Sequence, residues 1–146
     1  DKIHLKKKIK REELEYIYNK ITDGVLPHHS FHVSNIYQRT GHLDIPYTLE
    51  TMDACLINWG KIIKINKDSA VVKSKPLRLI NNRLQFGTII ERTIISQGDK
   101  DILFKNLGIG DCISYHWGYF CQKLTNEQLR NLVYFTNLSV HYANIY

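Results

Sequence analysis

The chain has 146 residues, 43% of them apolar and 23% charged. That length and balance support one compact domain, or one domain with an appendage, and exclude disorder and fibrous repeats. Lys and Arg number 20 against 14 Asp and Glu, a net charge of +6 that favours acidic partners without naming one.

A first helix is predicted over about Ile9 to Ile21, where Ile9, Leu14, Ile17, Tyr18 and Ile21 recur at helical spacing. Gly24 closes it and Pro27 lies just beyond. The basic run ahead of it, Lys6 to Arg11, is read as solvated. From Pro27 to Tyr47 the pattern is irregular and rich in histidine. A short helix over Thr48 to Asp53, capped by Thr48, comes next.

Beyond it the period changes to two. Cys55 to Ile65 reads as a strand, Asn66-Lys67-Asp68 as a turn, and Ala70 to Lys73 as its return. Leu77 to Ile80 and Leu84 to Phe86 flank Asn81-Asn82, and Thr88 to Ile95 is rich in β-branched residues. Cys112 to Cys121 alternates throughout and is expected to be the last strand. Thr125 and Gln128 then form a capping box, opening a helix to about His141 with Leu129, Leu132, Val133, Tyr134, Leu138 and Val140 on its apolar face. Five or six short strands followed by one helix predict a mainly β fold, a small OB-like barrel with a C-terminal helix and an N-terminal helical segment. The expected division is 1–53, helical and histidine-rich, and 54–146, barrel plus helix.

Three cysteines without a C-x-x-C pair fit neither a disulfide scaffold nor a cysteine-rich zinc module. Cys55 at the mouth of a barrel is a candidate soft ligand or nucleophile, or a small buried hydrophobe. His116 shares a strand face with Ser114 and with Gly118, whose missing side chain leaves room beside it. A neutral imidazole there is a ligand or a base, or simply bonds to the backbone. Cys112 has the parity of His116 and is a candidate third ligand; Cys121 has the opposite parity, and core packing is the plainer reading of both. His28, His29 and His32 concentrate ligand types, and on a helix His28 and His32 lie one turn apart, able to clamp one metal. Asp44 or Cys55 would complete that shell. No phosphate loop, H-E-x-x-H or G-x-S-x-G signature is present.

Two segments resemble one family. Cys55 to Ile65 with Ala70-Val71-Val72, and Gly110-Asp111 with His116, Gly118-Tyr119 and Lys123-Leu124, resemble the HypC/HupF family of small hydrogenase maturation chaperones. The resemblance covers about residues 53 to 140, leaving Pro76 to Asn106 as an unmatched insertion with an extra hairpin that would enlarge one side of the barrel. It implies an OB-type barrel, Cys55 as the holder of iron carrying cyanide and carbon monoxide, and His116 as its helper. The implied partners are a maturation scaffold protein and a hydrogenase precursor. Cys55 is internal here, whereas the family's cysteine stands at the chain end, and Trp59 replaces a proline before Gly60. The chain is also similar to a longer, uncharacterised bacterial family in which a histidine-rich segment precedes such a barrel.

Three functions follow as expectations. The first is a non-enzymatic metal-handling protein, binding iron or another metal through Cys55 and His116 within about 8 Å, with the histidine cluster as a lid. The second is a barrel that binds nucleic acid on its aromatics and basic residues. The third is a metal-dependent enzyme built on His28, His29, His32 and His42. With no membrane-length apolar run and no signal peptide, the expected location is the cytoplasm. The start at Asp1 suggests a piece of a longer protein.

Overall fold

The computed structural model describes residues 29–35, 48–98 and 102–145. The predicted helix at Ile9 to Ile21, the basic run, His28, His42 and Asp44 lie outside the described residues, as does the side chain of His32. The elements in chain order are α1 (His29–Asn35), α2 (Leu49–Cys55), β1 (Asn58–Ile65), β2 (Ser69–Ser74), β3 (Leu77–Ile80), β4 (Arg83–Phe86) and β5 (Ile90–Ile95). A 3₁₀ turn (Ile102–Asn106), β6 (Cys112–His116), β7 (Tyr119–Lys123) and α3 (Asn126–Ile145) complete them.

Five strands close a barrel in the order β1-β2-β5-β7-β6, with β6 returning to β1. Every pairing is antiparallel except β5 with β7, which run parallel and meet at Ile95 and Tyr119. This is an OB-type ring, as the sequence predicts. Its interior is filled by Ile62, Ala70, Val72, Ile94, Ile113, Tyr115 and Phe120, with Phe104 of the 3₁₀ turn stacked edge-on against Phe120. Small barrels need sharply bent strands, and β1 bends at a bulge between Ile62 and Lys64, where Ile63 is the extra residue. Gly60 permits the close approach of β1 to β2: a Cβ there would lie 2.8 Å from Val72 Cβ and 2.9 Å from the Lys73 carbonyl oxygen.

The predicted last strand, Cys112 to Cys121, is two strands. Trp117 (φ +53°) and Gly118 (φ +78°) form a two-residue turn of the type I′ kind, and His116 pairs with Tyr119 across it. Period two survives a tight hairpin, so alternation alone did not reveal the break. Cys121 is the extra residue at a bulge in β7, which puts its side chain on the exposed side.

The hairpin of Leu77 to Phe86 does not enlarge the barrel. β3 and β4 form a separate two-stranded ribbon, turned by Asn81 (φ +51°) and Asn82 (φ +59°). The unmatched stretch from Pro76 to Asn106 also contains β5, so it supplies an integral barrel strand. The ribbon packs instead on the helices, in a second core of Val33, Met52, Leu56, Leu77 and Val140. Leu56 and Leu77 are fully buried there, each contributing about 2 kcal/mol. Asn144 of α3 doubles the edge of β4, its amide accepting from Leu84 N–H at 2.8 Å and donating to the Leu84 carbonyl at 2.7 Å.

Both predicted caps are present, Thr48 with Thr51 on α2 and Thr125 with Gln128 on α3. α3 runs on past His141 to Ile145, and its fully buried residues are Thr136, Ser139 and Val140, while Tyr134 of the expected apolar face is exposed. The reason is its neighbour: α1 lies along α3, and Ser30 bonds Thr136 at 3.2 Å between two buried hydroxyls. Small side chains let the two helices approach closely.

One carboxylate ties α2 to both the ribbon and β5. Asp53 accepts the Leu77 N–H at 2.7 Å on one oxygen and pairs with Arg92 of β5 on the other. Beside it the buried Tyr115 hydroxyl donates to Ser74, which donates to the Trp59 carbonyl. Asp53→Ala leaves a mostly buried guanidinium and an N–H without their acceptor. The expected loss is about 3 kcal/mol of unfolding free energy, read as a lower urea midpoint at unchanged slope.

Candidate metal centre

A helix leaves its last four carbonyls without intrahelical partners. In α2 these belong to residues 52–55, and each is met from a different place. Met52 O accepts Leu56 N–H at 3.1 Å, and Asp53 O accepts Asn58 Nδ2 at 2.6 Å. Ala54 O accepts Trp117 N–H at 2.9 Å, and Cys55 O accepts His29 Nε2–H at 2.8 Å. A carbonyl can only accept, so His29 carries its ring proton on Nε2 in this arrangement. The last two bonds draw the β6–β7 turn and the start of α1 to one point.

The consequence is a cluster. His29, Cys55 and His116 each present a ligand-capable atom within 4.8 Å of the others. His29 Nε2 lies 4.0 Å from Cys55 Sγ, and the two imidazoles meet edge to face at a centroid separation of 5.5 Å. Cys55 and His116 are half-buried and His29 is exposed, so the cluster has one side open to solvent. Cys55 is the last residue of α2 and not the first of a strand; β1 begins only at Asn58. The helix end, more than the barrel mouth, aims its thiol.

His116 Nε2 is buried, and among the described residues nothing hydrogen-bonds to it. Burial pushes the His116 pKa below its ordinary value, the nearby His29 adds to that shift, and the Cys55 backbone carbonyl opposes it. The shift favours the neutral ring, whose Nε2 lacks a partner among the described residues. Buried polar atoms are rarely left so, and a ligand or ion is among the usual reasons.

The other sequence candidates separate from this point. Cys112 pairs with Lys61, at the end of β6 remote from His116, so the third donor is His29 and not Cys112. Cys121 is exposed on the bulge. Gly118 makes no room on a strand face; its positive φ is what the turn needs, and a Cβ there would meet nothing within 4 Å. Of the basic strand residues, Arg92 is engaged by Asp53, and Lys61, Lys64, Lys73, Arg78 and Arg83 are exposed.

The donor set suits a borderline or soft cation. In a tetrahedral site the nitrogen and sulfur ligands of one ion stand about 3.5 Å apart, so this cluster needs to contract by about 0.5–1.3 Å.

A family model described as a family of unknown function (DUF6390) matches residues 3–145. The chain belongs to that family. The DUF6390 match takes in His29, Cys55 and His116 together, and so spans both expected divisions, 1–53 and 54–146. No curated protein and no solved structure matches the chain. No helix among the described residues is long and apolar enough to cross a membrane.

The lowered pKa of His116 has a definite sign. The unfolded chain takes up the proton first as pH falls, so the contribution to stability is complete above about pH 6.5 and is lost on acidification toward the folded value. An NMR titration of the metal-free protein is expected to place the His116 midpoint below that of an unfolded-chain histidine. A midpoint at or above the ordinary value contradicts a buried ring.

Proposed function

We propose that this protein handles a transition metal without being an enzyme, holding the ion on Cys55, His116 and His29. The observation that carries the reading is the convergence of one thiol and two imidazoles at the end of α2, with a buried His116 nitrogen that lacks a partner among the described residues. One thiolate and two imidazoles suit Fe(II), Co(II) and Zn(II), and leave a coordination position for an exogenous ligand or a receiving protein. The exposed side at His29 supplies a path for entry and release.

The resemblance of Cys55 and His116 to the HypC/HupF pair supports iron as the cargo, and partners of the scaffold or hydrogenase-precursor type. The OB-type ring agrees with that resemblance in architecture. A nucleic-acid surface has less support. Tyr115 and Phe120 fill the barrel, Trp59 stacks on Phe86 of the ribbon, and Arg92 is engaged by a carboxylate.

The test is anaerobic titration of the metal-free protein with Fe(II) or Co(II), followed by elemental analysis. One ion per chain and a thiolate-to-metal charge-transfer band are expected. Cys55→Ser removes the band, His116→Ala weakens binding by roughly 100-fold, and Cys112→Ser changes neither. Binding that is absent, or indifferent to Cys55, refutes the proposal.

A further inference from the structure

Resting on the metal-handling reading, we infer that His29 is an exchanging ligand, so that loading of the site latches α1 to the end of α2. The argument starts from one nitrogen. His29 Nε2 sits 2.8 Å from the Cys55 carbonyl and 4.0 Å from the Cys55 sulfur. A nitrogen whose hydrogen points at a carbonyl has no lone pair to offer, and contraction toward the sulfur draws it off the oxygen. It therefore caps the helix or ligates, never both.

The exchange balances. The ring proton passes from Nε2 to Nδ1 through solvent, which the exposure of His29 allows, and the freed Nε2 lone pair turns to the ion. No charge is gained or lost by the ring, and the Cys55 thiol gives its proton to solvent as its sulfur takes the ion. The Cys55 carbonyl gives up its His29 donor in that step.

His29 is also the first residue of α1, which rests on α3 through Ser30 and Thr136 and touches α2. In the metal-free chain the link from α1 to the end of α2 includes a hydrogen bond that solvent can replace. With the site loaded that link is a coordination bond shared with Cys55 and His116. Occupancy is thereby written into the placement of α1, a surface feature that a receiving protein can read. All three residues hold the ion, and His29, by exchanging its partner, also reports it.

The experiment uses the full chain with Zn(II) for NMR and hydrogen exchange and Co(II) for absorption. On adding Zn(II), the His29 ring is expected to change from the Nε2–H to the Nδ1–H tautomer in ¹⁵N spectra, and α1 amides to exchange at least about tenfold more slowly. His29→Gln keeps an N–H donor for the Cys55 carbonyl. It should retain the Co(II) charge-transfer band, bind at least about tenfold more weakly, and show no metal-dependent protection of α1. A band in the wild type with an unchanged His29 tautomer and unchanged α1 exchange overturns the latch and leaves the metal reading standing. Absence of the band in the wild type overturns both. Should His29→Gln fail to fold, the wild-type tautomer decides by itself.

Discussion

The C-terminal end of α2 is where this structure is tied together. Four carbonyls must find donors there, and they find them in the linker to β1, the side chain of Asn58, the turn between β6 and β7, and the first residue of α1. Leaving any of them dry and unpaired would cost a sizeable fraction of a domain's marginal stability. Satisfying them forces segments 26 and more residues apart in sequence to share one point. The cluster of His29, Cys55 and His116 is the geometric by-product of that requirement.

Trp117 shows how firmly the point is held. A bulky side chain in the left-handed region is disfavoured by contact between its own Cβ and the backbone. It is tolerated because the two-residue turn is fixed by strand register on both sides, and because the Trp117 N–H is the donor that Ala54 needs. His116, one residue earlier, inherits its position from this turn. Gly118 beside it supplies the second positive φ at no steric cost.

Asp53 plays the complementary part on the barrel side. Its carboxylate ties the ribbon and β5 to α2, and its backbone carbonyl takes the Asn58 side chain. One residue thus orients the helix from which Cys55 projects. The ribbon is, physically, the floor of a second core that clamps α2 and α3. A thiol on a helix so anchored is held in place without a disulfide.

Local chemistry made much of this legible in advance. Alternation from Cys55 onward, Asn-Asn at a turn, the Thr48 cap and the Thr125–Gln128 capping box each act over a few residues, and their elements are present. Cys55 and His116 stood out by residue type and by the two motifs that carry the family resemblance. What sequence could not decide was non-local. That Asp53 faces Arg92, that β5 belongs to the barrel, and that His29 rather than Cys112 joins the thiol depend on which distant donors reach the end of α2. Periodicity records how a segment relates to its own neighbours; only packing decides which segments must satisfy one another's buried polar groups.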